Sequence, residues 1–280
     1  EFFKILTIKL FVGSEGHVMP FILSIAEFFL LSMAFGISLF TLIAKSELTG
    51  GGFLRLVHNV SVSSLLLGFV CHIYRVPFGD TASWMYLLAS LCLVLSSIFH
   101  RDKKTATMWA LYIIQNMALA AALYTYQSHQ FSEGGFNLMN VTFFFSSALF
   151  LGVITYSMLL GHWYLVVPKL SEKPLKVALF VTWFVMCLKL LMTLGALFKD
   201  AGFFLEGSRL GAGYMFNWII LTMRMVWGYL IIGIMSYFTW RLVKMRSIQS
   251  ATGVLYVMTF FVFVGELIST YLFHKYGMYL

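Results

Sequence analysis

The chain has 280 residues, 60% of them hydrophobic and 11% charged, with a formal net charge of +8. A soluble domain carries about 25% charged residues, so composition excludes an ordinary water-soluble globule. The basic residues sit in short links between apolar runs, where they set topology; the charge is therefore no nucleic-acid signature, and lipid is the expected surrounding.

The chain starts "EFFKILTIKLF", which is too short and too charged to span a bilayer. Residues 1–17 read as an interfacial helix or the stump of a longer N-terminal part. Residues 18–280 read as one transmembrane domain. Apolar runs long enough to cross a membrane, about 18 residues or more, fall near 18–44, 53–75, 82–100, 105–126, 141–167, 175–198, 213–241 and 249–274. The fold class expected is all-α: a polytopic membrane bundle of about eight helices. The fourth run is the least apolar, because Gln115 and Asn116 lie at its centre. The links 127–140 and 199–212 contain "SEGGFN" and "DAGFFLEGSRLGAG" and read as loops. Cys71, Cys92 and Cys187 each lie inside an apolar run, with no CxxC spacing for zinc or c-type haem.

Orientation follows from Lys and Arg in the short links. Lys45, Arg55, Arg101, Lys103, Lys104, Lys169, Lys173, Lys176, Arg241, Lys244 and Arg246 fall on one side. Lys4, Lys9, Arg75, Lys199, Arg209 and Lys275 fall on the other. The richer side is expected in the cytoplasm, so links 101–104, 168–176 and 241–248 face inward and both termini face outward. A bacterial inner membrane is the expected location. Trp84, Trp163, Trp218, Trp240, Tyr74 and Tyr164 gather at run ends, as an interfacial belt would.

Ionisable groups inside spans are costly and raise a functional question by default. Glu27, Lys189, Arg224 and Glu266 are such groups, at the midplane or in the outer half. Two acids and two bases at similar depth are expected to face the bundle interior and neutralise one another. They would pin helices together, form a proton path, or line a polar pocket.

Histidines are the second anomaly. His58, His100 and His162 lie at inner span ends, His72 near an outer end, and His17 and His274 beside the outer ends of the first and last spans. His58 and His72 are fourteen residues apart, a rotation of roughly 1400° that puts both on one helix face about 21 Å apart. The spacing resembles that of membrane di-haem cytochromes b, where imidazoles on one helix ligate two stacked haems. The likeness covers one helix, and the second paired helix of that pattern is missing here. It implies b-type haem held at the inner site by His58 with His162 or His100, and at the outer site by His72 with His17 or His274. Gly68, Gly152 and Gly161 would leave room for the macrocycle.

The leading expectation is an electron-transfer membrane subunit binding b-type haem, quinone or both, within a larger complex that supplies membrane or extracytoplasmic partner subunits. A quinol pocket would draw on Glu27 or Glu266 with His72 and Arg75. The first alternative is a proton-coupled transporter or channel for a small anion or metabolite, with Lys189 and Arg224 meeting the solute. Against it, Pro20, Pro77, Pro168 and Pro174 all sit at span ends, so no span looks broken. The second alternative is a structural scaffold whose ion pairs only hold helices together.

Overall fold

A computed structural model describes residues 18–44, 46–76, 78–99, 106–130, 138–167, 170–211 and 213–280. Among these residues all regular structure is helical. Eight helices are long and apolar enough to cross a membrane: α1 Val18–Phe40, α2 Gly51–Arg75, α3 Thr81–Phe99, α4 Ala106–Gln130, α5 Leu138–Val166, α6 Lys173–Lys199, α7 Tyr214–Lys244 and α8 Ile248–Tyr276. The protein is an all-α integral membrane protein with eight spans among the described residues. Residues 1–17, with His17, lie outside the described residues, as do His100 and the basic link 101–104.

The helices alternate in direction, so the links sort onto two faces. The α2–α3 and α6–α7 links lie on one face, called upper below; the α1–α2, α5–α6 and α7–α8 links lie on the lower face. Neighbours in sequence pack together: α1 with α2, α2 with α3, α3 with α4, and α4 back against α1. The second four helices repeat the pattern, α5 to α6 to α7 to α8 and back to α5. Each half is therefore a four-helix ring that begins at the upper face, and the halves join where α1 meets α5 and α8.

The centre of the molecule is α5. Of its central stretch 83% is buried, against 33–56% in the other seven spans. An evenly apolar helix belongs inside, since it has no polar face to offer elsewhere. Gly36 of α1 backs directly onto Ala148 and Gly152 of α5, and a Cβ on either glycine would collide with the opposing backbone. Small residues let helices approach closely where no hydrophobic drive exists between them. The exposed Leu66, Leu67, Leu91, Met117, Phe184, Leu191 and Phe198 form the lipid face.

Local structure departs from the sequence expectation in several places. The first span ends at Phe40, and a one-turn helix, Ser46–Thr49, follows on the lower side. Trp163 donates from Nε1 to Thr49 O at 2.6 Å, so it ties that turn to α5 and does more than sit in a belt. Helix α4 runs on to Gln130, into the stretch expected as loop. Gln115 is fully buried in α4 and donates from Nε2 to Ser38 Oγ of α1 at 3.0 Å. It also accepts from Ser96 Oγ of α3 at 2.7 Å, which is why a polar residue survives mid-span. A 3-10 turn, Ala201–Phe204, shapes the 200–213 link. Most consequential is a π-helical turn, Val226–Leu230, in the middle of α7. That span is interrupted after all, without proline or a sequence break.

Candidate functional site

All four in-span charges lie inside the protein, Arg224 at 0%, Glu27 and Glu266 at 1% and Lys189 at 2% exposure. They do not form one mutually neutralising set. Glu27 is alone in the first half, and Lys189, Arg224 and Glu266 meet in the second.

The first network is built around Glu27 of α1. Gly68 of α2 packs against the α1 backbone at Glu27 and Leu31, with Leu30 beside it, so the two helices run close. One turn later, His72 donates from Nδ1 to Glu27 Oε1 at 2.9 Å. Arg75, three residues on and on the same helix face, donates from Nη1 to Oε2 at 2.5 Å. Tyr86 of α3 adds a third donor, its hydroxyl 3.2 Å from Oε1. His72 Nε2 lies 3.1 Å from Ser83 Oγ of α3, and its ring stacks with Phe69 and Tyr86. Sequence placed Glu27, His72 and Arg75 in one possible pocket, and the structure does bring these three together. Tyr86 and Ser83 were missed, because nothing in the α3 sequence marks which face meets α2.

Arg75 also lies over the ring of Tyr126 of α4, 5.3 Å from its centroid. The Tyr126 hydroxyl donates to Ser24 O at 2.9 Å and lies 2.6 Å from His274 Nε2 of α8. His274 Nδ1 is 2.8 Å from Thr270 O, which only accepts, so Nδ1 carries a proton. His274 thus links the first network to the second half of the molecule.

The second network is built around Glu266 of α8. Lys189 of α6 donates from Nζ to Oε2 at 2.7 Å and also to Ser147 Oγ of α5. Arg224 of α7 donates from Nη2 to Oε1 at 2.9 Å and to the Tyr229 hydroxyl at 2.9 Å. Tyr229 is braced by Thr193 of α6 at 2.7 Å. The π turn makes this possible. Residues five apart do not share a face in an α-helix, but the wider π turn brings Tyr229 over Arg224, with the guanidinium carbon 4.6 Å from the ring centroid. Gly228 and Gly265 let α7 and α8 touch there; a Cβ on Gly265 would stand 2.9 Å from Gly228 Cα and 3.1 Å from Arg224 Nη1. Arg224 Nε and Nη1 have no hydrogen-bond partner. Gly228, Gly265 and the hydroxyls of Ser147 and Tyr229 were missed by sequence reading. The signal was there: a glycine four residues after the in-span arginine and another immediately before the in-span glutamate.

An aromatic wall separates the networks. Phe28, Phe143, Phe144 and Phe273 interlock with ring centroids 4.7–5.1 Å apart. Lys189 Nζ sits 5.1 Å from the centroid of Phe143, on the second network's side. This wall is why Glu27 cannot share the charges of Lys189 and Arg224.

Of the candidate haem ligands, His58, His72, His162 and His274 lie among the described residues. His58 is buried in α2, whereas His162 is exposed on α5 with Nδ1 2.7 Å from the Tyr256 hydroxyl of α8. A bis-imidazole haem needs two ligands facing each other across a slot. The glycines expected to open that slot are filled by helices: Gly68 by α1, Gly152 by Gly36, and Gly161 by Thr252 and Leu255 of α8. His72 has both nitrogens engaged, and His274 faces Tyr126. A quinone head group fits the Glu27 network no better, since three donors already occupy the carboxylate. Among the described residues no group of three or more His, Cys, Asp or Glu is placed to hold a metal ion.

No protein-family model, no curated protein and no solved structure matches this chain.

Proposed function

We propose that this protein is a proton-coupled secondary transporter of a small solute. The observation that carries the reading is the pair of buried acid–base networks, one in each four-helix half, on either side of an aromatic wall at their junction. Transporters built from two like-oriented halves bind their solute near the bilayer midplane beside irregular helix segments; for this chain that likeness is analogy. The Glu27 network supplies the proton chemistry. Arg75 reaches toward the upper face, its side chain 12% exposed, so a proton arriving there meets a carboxylate and an imidazole already in contact. Protonating Glu27 removes the charge that holds Arg75 and frees it to move. The Lys189–Glu266–Arg224 cluster supplies the solute chemistry, and the π turn beside it supplies the deformable segment.

The test is proton movement in sealed vesicles. Purified protein in liposomes, loaded with a pH dye, is given an inward gradient of chloride, nitrate, formate or acetate. At least one anion is expected to change luminal pH, and Glu27→Gln is expected to abolish that change while leaving the protein folded. A panel that moves no protons, or proton movement unaffected by Glu27→Gln, overturns the proposal. A reduced-minus-oxidised spectrum with a sharp band at about 560 nm, the order expected for low-spin b haem, would replace it with electron transfer.

A further inference from the structure

The Lys189–Glu266–Arg224 cluster has more positive charge and more donors than its own acceptors satisfy. Its members carry two positive charges and one negative, all of them sealed from water. An uncompensated buried charge is costly, and natural proteins pair it. Hydrogen bonding shows the same excess. Of the guanidinium's donors, both on Nη2 are used, on Glu266 and Tyr229. Those on Nε and Nη1 meet no acceptor among the described residues. Buried polar groups are almost always satisfied, and an exception calls for a ligand or water.

We infer that this cluster binds a small monovalent anion against Arg224 Nε and Nη1. Charge sets the sign, because one negative ion brings the cluster to neutrality. Donor type sets the class: N–H groups take halide, nitrate or a small carboxylate. Packing favours a small ion, since a Cβ on Gly228 or Gly265 would stand only 2.9 Å or 3.1 Å from Nη1. The inference names the solute class for the transport reading and rests on that reading for movement only.

Binding is measured separately from transport. The thermal midpoint of the purified protein is followed while chloride, bromide or nitrate replaces gluconate at constant ionic strength. The wild type is expected to show a saturating, single-site rise. Lys189→Met leaves Arg224 paired with Glu266 and removes the excess charge, so half-saturation should move to roughly tenfold higher anion, the scale of one nearby unit charge. Glu266→Gln raises the excess and should move half-saturation the opposite way, with its fold rescued by the anion. Opposite shifts in these two variants support the site. The same salt response in all three proteins, or none in any, overturns it; that result would leave proton movement in vesicles standing on its own. Saturating binding without anion-driven proton movement keeps the site and overturns transport.

Discussion

The two glutamate networks sit in equivalent halves and at similar depth, yet they are opposite in balance. Around Glu27 acceptor and donors are matched: one carboxylate takes three donors, and the single neighbouring arginine reaches toward the upper face. Around Glu266 the donors are in excess: two fully buried cations share one carboxylate, and Arg224 keeps unused N–H groups. Counting charges along the chain predicts two equal pairs. Counting hydrogen bonds in the fold finds one closed network and one open one. An open network is where a ligand belongs, and a closed one is where a proton can change the charge without needing a partner from outside.

The largest expected effect tests that contrast directly. Glu266→Leu strands two buried cations and should cost about 3–5 kcal/mol, the range for breaking a buried pair from one side. Glu27→Leu leaves one cation, Arg75, which can turn toward the upper face, and two neutral donors, His72 and Tyr86, and should cost less. Thermal unfolding in detergent compares the two; equal losses would erase the distinction between the networks.

Next come the glycines of each network. Gly265→Ala puts a Cβ 2.9 Å from Gly228 Cα and 3.1 Å from Arg224 Nη1, which should cost about 1–3 kcal/mol as overpacking. Gly68→Ala in the Glu27 half meets nothing nearer than 3.4 Å. It should be neutral or stabilising by up to ~1 kcal/mol, the helix preference for Ala over Gly. Midpoints for the two variants should therefore move in opposite directions.

Smaller still is the effect of a single hydroxyl. Tyr86→Phe removes one of three donors to Glu27, leaving Arg75 and His72, and should cost about 0.5–1.5 kcal/mol. Tyr229→Phe should cost more, because Arg224 Nη2 loses an acceptor that nothing else replaces. A larger loss for Tyr86→Phe would show that the Glu27 network is the less satisfied of the two.

The smallest effect lies outside both networks. Asp200 follows α6, and burial holds its carboxyl above the usual Asp range, with Tyr279 N–H and Lys199 opposing. An acid whose folded-state pKa is raised binds its proton more tightly when folded. Stability therefore falls as pH rises from the ordinary Asp value to the raised one, and the penalty persists above it. Asp200→Asn should raise the unfolding midpoint slightly at pH 7 and not at all below the ordinary Asp value. A gain that persists in acid would mean that ionisation is not the cause.

The spans were legible because hydropathy needs no neighbours: a run of about 20 apolar residues crosses a bilayer whatever surrounds it. The interior placement of Glu27, Lys189, Arg224 and Glu266 was legible for the same reason, since lipid offers a charge nothing. The spacing of the histidine pair decides little by itself, because span length alone puts residues near both ends of a helix about that far apart. His58 and His72 share the buried side of α2, but what each one meets depends on α1, α3 and α5.

Sequence by itself determined the class of protein, the eight spans and the four charges that must be inside. These follow from the cost of polar groups in hydrocarbon, a property of each residue alone. Tertiary structure decided the partners. It placed an aromatic wall between the two networks, where the halves join, so that Glu27 found His72 and Arg75 while Glu266 took both Lys189 and Arg224. It also wound Val226–Leu230 into a π turn where Gly228 and Gly265 let two helices meet. Such pairings depend on which helices touch and at what rotation, and a local pattern carries no record of either.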